Sequence, residues 1–182
     1  SSDSEQILEV ARESHARPIK RPTEISGDFA TSESGWLHAL GIIEEQAGKV
    51  DAVFAPQVTS PLREPEDVDR GIRDFYHEGC DSLFSCSVAE DLYFWERDFD
   101  GMLRSVNYDY KNRKRRQDIA KQYIENGSFY LFKPDVLRRL GNRFGGKIGM
   151  SKMEFWKMFE IDSMEGLKMC ESLMKTFLLN AA

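Results

Sequence analysis

The chain has 182 residues, 41% hydrophobic and 31% charged, which suits one domain with a sizeable core and argues against disorder. A net charge of −6 argues against a general nucleic-acid binder, and no apolar run reaches the about 18 residues a membrane span needs. Cys80, Cys86 and Cys170 lack metal-ligand or pairing spacing, so we expect buried thiols in a reducing compartment, no signal peptide, and a soluble, cytoplasmic protein.

Residues 3–15 are expected to form a helix, with Ile7, Leu8, Val10 and Ala11 as its apolar stripe. Ser2 or Asp3 is its expected cap, Ser2 and Glu5 making a capping box, and His15 at its end reads as solvated. An extended stretch broken by Pro18 and Pro22 leads to a second helix over 31–47, with Trp36, Leu37, Leu40, Ile43 and Ala47 inward and His38 packing. Thr31 or Ser32 is placed to cap it. A short apolar strand over 51–55 ends at Pro56-Gln57, so Gln57 lies beyond a strand's carboxyl end, where ligands sit in open α/β sheets. Thr59, Ser60 and Pro61 read as a turn, and a helix over 65–78 runs from Pro65 to Gly79. Residues 81–88 read as another strand.

From Leu92 to about Gln122 the pattern changes: charges cluster, aromatics follow no period, and Asp100-Gly101 reads as the turn of a hairpin. We treat 92–122 as an insertion into a core made of 1–91 and 123–182. A basic run from Lys111 ends at Arg115-Arg116-Gln117-Asp118, and guanidiniums suit carboxylate or phosphate oxygens bidentately. Glu125-Asn126-Gly127-Ser128-Phe129-Tyr130 follows, with 127–132 reading as a buried strand, so a cationic segment leads into a core wall. Asn126 can donate and accept hydrogen bonds. Pro134 opens a short helix to Leu140, and Gly141, Gly145 and Gly146 loosen the chain around Phe144. A strand near 155–161 is expected to deliver Glu160 and Asp162 to one face, and a helix over 164–178 closes the chain. Asp162 or Ser163 could equally be the cap of that helix. Alternating strands and helices imply an α/β fold, a three-layer α/β/α sandwich with a Rossmann-like, mostly parallel sheet. No serine–histidine–acid or cysteine–histidine constellation is evident.

Three stretches, in order, resemble the CMP-sialic acid synthetases (acylneuraminate cytidylyltransferases). RRQDIAKQYIENGSFY resembles the family's RRQD followed by NGA or NGS with aromatics. Gln57-Val58-Thr59-Ser60-Pro61-Leu62-Arg63 resembles QPTSPLR with valine for proline, and Glu160-Ile161-Asp162-Ser163 resembles DIDT with glutamate for the first aspartate. The family opens with a strand and a glycine-rich phosphate loop, ARGGSKG; this chain opens instead at a stretch resembling STDSEE, so the resemblance implies a sequence truncated at its N-terminus relative to the family, starting inside the first half of the domain.

The resemblance implies transfer of CMP from CTP to a nine-carbon 2-keto sugar acid, with Mg²⁺ as cofactor and a homodimer formed through 92–122. It implies that Gln57, Arg116 and Asp162 serve catalysis and that Asp162, assisted by Glu160, holds the metal. Gln57 and Asn126 would hold the sugar, Arg116 would meet its carboxylate, Tyr130 would line the wall, and Phe144 would come from the partner subunit. Arg21, Ala30 and Ser32 would form the cytosine pocket. Pseudaminic, legionaminic and deaminated sialic acids fit nearly the same motifs, and the relatives that handle KDO fit less well. The alternative is a non-catalytic sugar-acid-binding or assembly remnant of the family.

Overall fold

The computed structural model describes residues 1–89 and 91–179, and of Arg116 the backbone alone. Five α-helices lie close to where capping and periodicity place them. Helix α1 (Glu5–Glu13) starts later than expected: Ser4 is its cap, accepting the Ile7 N–H at 3.5 Å, while the buried Ser2 hydroxyl accepts the Ser4 N–H at 3.1 Å. Helix α2 (Ser32–Ala47) is capped by Thr31, which accepts the Ser34 N–H at 3.2 Å, and His38 sits on it with Nδ1 buried and unpaired. Helix α3 (Pro65–His77) opens with a reciprocal capping box between Glu64 and Asp67. Helix α4 (Pro134–Leu140) ends at Gly141 in the left-handed region, and α5 (Met164–Met174) is capped by Ser163. Among the described residues no helix is long and apolar enough to cross a membrane.

The strands are β1 (Val53–Pro56), β2 (Ser82–Ala89), β3 (Trp95–Arg97), β4 (Leu103–Ser105), β5 (Gln122–Phe132) and β6 (Ile148–Lys152). Four form one sheet in the order β1-β5-β2-β6, and β3 and β4 pair as the expected hairpin around Asp98–Gly101. The fold is therefore mixed α/β, but the expectation of a mostly parallel sheet is corrected. Strand β5 is antiparallel to both its neighbours, and among the described strands only β2 and β6 pair in parallel. The reason is topological. Residues after Ala89 leave β2 at one end and return at Gln122, which pairs with Ala89 itself. The 92–122 excursion is thus the enlarged loop of a β2–β5 hairpin, and a hairpin connection makes antiparallel neighbours. A second correction concerns 155–161: Phe155–Met158 form a 3₁₀ turn, and the strand of this region is Ile148–Lys152.

Alternation along β5 divides its side chains between two clusters. Phe129 and Leu131 join Phe75 of α3, Cys80, Leu83 and Met153. Tyr130 and Phe132 join Leu40 of α2, Leu137 of α4 and Ala55, with Trp36, Phe84 and Phe144 against them. The three cysteines are buried and free.

Candidate active site

The site grows from a defect in β5. Tyr130 pairs with Phe84 and Glu125 with Cys86, so Asn126–Phe129 stand opposite Ser85 alone. The extra residues bulge, and Gly127 takes φ 62° there, a conformation that side-chain-bearing residues adopt at a cost. Ser85 closes the gap: its hydroxyl donates to Phe129 O at 3.0 Å and accepts the Phe129 N–H at 2.9 Å. Asn126, 1% exposed, accepts the Ser128 N–H at 3.3 Å and directs Nδ2 to Met153 Sδ at 3.4 Å. Its amide therefore shapes the bulge from within.

The loop after β1 is fastened to this bulge. Gln57 N donates to Ser128 O at 3.2 Å, and the half-buried Arg63 donates to Ser128 O and, at 2.9 Å, to Gln57 O. Burial holds the Arg63 guanidinium below its ordinary pKa. Arg63, which closes the Gln57–Arg63 motif, is a site-building residue that the motif alone does not reveal.

The third motif arrives from the other side. The Ile161 N–H donates to Thr59 O at 2.8 Å, bringing Glu160 over the bulge. A methyl group on Gly127 would overlap the Glu160 carboxylate and stand 2.8 Å from Gln57 Nε2. Gln57, Gly127 and Glu160 thus share one spot. Burial and then the Asp162 carboxylate push Glu160 above the ordinary carboxylate range, with Glu125 adding to the rise. The buried Ser60 hydroxyl opposes that rise, although it falls outside normal hydrogen-bond geometry. Asp162 is exposed. Among the described residues no three His, Cys, Asp or Glu side chains are grouped so as to hold a metal ion. The Glu160 and Asp162 carboxylates are nonetheless the donor type that Mg²⁺ takes, since it uses one or two carboxylates and completes its shell with water and substrate phosphates.

Beside this spot stands an aromatic wall. Tyr130 donates its hydroxyl to Glu125 Oε1 at 2.5 Å, and burial followed by that carboxylate pushes the phenol far above its ordinary pKa. Phe144 meets Tyr130 edge-on at 5.8 Å and Phe84 at 5.7 Å, so within this chain Phe144 already joins the wall. Arg143, unremarked in the sequence, lies 4.6 Å from the Trp36 ring and 4.4 Å from the Tyr130 ring, and donates to Glu33 at 2.8 Å.

The residues expected to serve the nucleotide are less tightly gathered. Arg21 donates to Ser1 O at 2.7 Å and packs against Gly35. Ala30 lines a cleft of about 450 Å³ with Ile25, Phe29 and Thr31, of which Arg21 and Ser32 are not part. In the basic run, Arg115 pairs with Asp118 at 2.8 Å, whereas the Arg116 side chain lies outside the described residues. Sequence reasoning also missed Lys157. It is 2% exposed, with Nζ 2.6 Å from Glu64, 2.7 Å from Asp67 and 2.8 Å from Glu154. That cage ties the turn before Glu160 to the start of α3.

No family model matches the chain. Curated proteins do. The chain is 32% identical over 150 residues to N-acylneuraminate cytidylyltransferase A of Danio rerio, covering 81% of this chain and 34% of the relative. It is 32% identical over 137 residues to pseudaminic acid cytidylyltransferase of Campylobacter jejuni, covering 72% of this chain and 57% of the relative. Post-translational flagellin modification protein B of Campylobacter coli is 29% identical over 179 residues, 96% of this chain and 75% of the relative. The chain thus spans about a third of the fish relative and just over half of the Campylobacter jejuni one.

Proposed function

We infer that this chain belongs to the acylneuraminate cytidylyltransferase family, and propose that the natural protein joins CTP to a nine-carbon 2-keto sugar acid, giving the CMP-sugar and pyrophosphate. The observation that carries this reading is the meeting of three separate motifs at the β5 bulge, where Gln57, Gly127 and Glu160 crowd together. In the reaction the anomeric hydroxyl oxygen bonds to the α-phosphorus as the bond to the pyrophosphate oxygen breaks, and the hydroxyl proton is lost to water. Such a displacement requires positioning and charge neutralisation and no covalent nucleophile.

In this reading Gln57 orients the sugar, Tyr130 and Phe144 wall it, and Arg116 meets its carboxylate. Asn126 acts on the sugar through the bulge that it shapes. Arg21, Ala30 and Ser32 serve the cytosine. Asp162 and Glu160 would hold Mg²⁺, which when bound neutralises phosphate charge. The exposed Phe94, Trp95, Phe99 and Leu103 support 92–122 as the arm of a homodimer. The two clusters on β5 support a three-layer α/β/α core, and the buried free thiols support a cytoplasmic setting.

The test is incubation of the natural protein with CTP, Mg²⁺ and either N-acetylneuraminic or pseudaminic acid, following pyrophosphate and CMP-sugar together. Failure to form CMP-sugar with either acid would refute the reading and favour sugar-acid binding without turnover. Sedimentation should give a dimer; a single 21.0 kDa species of this chain would remove the arm's assigned role.

A further inference from the structure

Arg143 belongs to none of the three motifs, yet it touches both the Tyr130 wall and the first turn of α2. It stands in the loop after Gly141, the left-handed end of α4. Its guanidinium faces two rings, Trp36 of α2 at 4.6 Å and Tyr130 of β5 at 4.4 Å. Its Nε donates at 2.8 Å to Glu33, in the first turn of α2 and two residues past the Thr31 cap. Both partners of that ion pair are largely buried, at 18% and 17% side-chain exposure. The next residue, Phe144, braces the same Tyr130 ring at 5.8 Å. The Trp36 and Tyr130 rings are tilted 48° to each other with centroids 6.4 Å apart, so the guanidinium sits in the corner that they make, and a planar cation packed there and fixed at its edge by a carboxylate has little rotational freedom.

We propose that Arg143 is a positioning residue: it clamps the Tyr130 wall to the first turn of α2, so that the sugar side and the nucleotide side of the site hold one spacing. The inference rests on the sugar-acid reading above and adds a residue that decides affinity for the sugar without touching it. Tyr130 leans on Arg143 on one side and donates to Glu125 on the other. Loss of the clamp lets the ring tilt at its unsupported face. Lysine cannot replace arginine here, because its point charge lacks the plane that packs against the rings while its edge pairs with Glu33.

The test is steady-state kinetics on the natural protein with CTP and N-acetylneuraminic or pseudaminic acid varied in turn, together with thermal melts. Arg143→Met keeps much of the aliphatic stem and removes the planar cation. It should raise KM for the sugar acid about tenfold with kcat within about threefold. Arg143→Lys should fail to restore KM, and Glu33→Gln, which leaves the stack in place, should give a smaller rise in the same direction. A lowered melting temperature with unchanged KM would overturn the proposal in favour of a purely structural role. So would full restoration by lysine. If the parent turns over and Arg143→Met matches it, this inference alone falls; if the parent makes no CMP-sugar, the sugar-acid reading falls and the clamp with it.

Discussion

Gly127→Ala is the sharpest single change. The substitution does two things: it forces an L side chain into φ 62°, and it sets a methyl group where the Glu160 carboxylate lies, 2.8 Å from Gln57 Nε2. The backbone component costs about 1–2 kcal/mol. Gly141 separates the two effects, because it has φ 58° and nothing within 4 Å of an added Cβ. Gly141→Ala should therefore show the backbone cost alone, a fall in melting temperature of about 2–8 °C at about 2–4 °C per kcal/mol. Gly127→Ala should lose at least that. Its distinguishing effect is on turnover, because Glu160 and Gln57 must both move, and a displacement of about 1 Å can cost about 100-fold. We expect kcat/KM at least about tenfold lower for Gly127→Ala and near parental for Gly141→Ala. Urea unfolding and initial-rate assays on both variants measure the two components. Equal activity in the two would refute the idea that the bulge glycine exists to let the motifs meet.

Asp162→Asn should abolish turnover with an unchanged circular dichroism spectrum, and near-normal rates across a Mg²⁺ titration would remove Asp162 as the metal ligand. Glu160 carries a pH prediction. A carboxyl raised in the folded state favours folding below its unfolded pKa of about 4.3, and that contribution is lost as pH rises through the folded value. Burial and Asp162 raise Glu160. Glu160→Gln should therefore melt above the parent at pH 7 in metal-free buffer, with the gap closing below about pH 4; a lower melting temperature at pH 7 contradicts the assignment. Lys157→Met leaves Asp67 and its neighbours without their buried cation and should cost about 3–5 kcal/mol in urea unfolding, whereas a loss under about 1 kcal/mol would show the cage to be dispensable. Arg116→Lys should raise KM for the sugar acid more than KM for CTP, with Arg115→Lys mild because Arg115 answers Asp118; equal effects would move the basic run to the nucleotide phosphates.

Local signals located the helices well because their ends are written locally. Thr31, Pro65, Pro134 and Ser163 stand at or beside the observed starts. The burial of 127–132 was equally legible from its apolar run. The bulge within that run was not, since it depends on Ser85 taking both backbone groups of Phe129 across the sheet. Nor could the antiparallel direction of β5 be read, because pairing of Ala89 with Gln122 is a long-range event. The aromatic run at 155–161 mimicked a strand, but Lys157 turns inward to three carboxylates and Trp156 stacks on Phe177 at 4.6 Å, and these contacts accompany a 3₁₀ turn. Lysine is read as exposed by default, so its burial hides both the cage and the turn. The site residues were named from motifs; the residues that hold them together, Arg63 and Arg143, emerged only from contacts.

The sheet order also has a consequence for biosynthesis. Among the described strands β1 pairs only with β5, and Val53 meets Phe132. A ribosome making about 5–20 residues per second delivers β1 several seconds before its partner exists. Through that interval Val53, Phe54 and Ala55 travel as an unpaired apolar edge, the kind of segment chaperones shield and neighbouring nascent chains seize. The Asn126–Phe129 bulge therefore lies in the last stretch to arrive before β1 can be sheltered, and assembly of the site and protection of the chain from aggregation become the same late step.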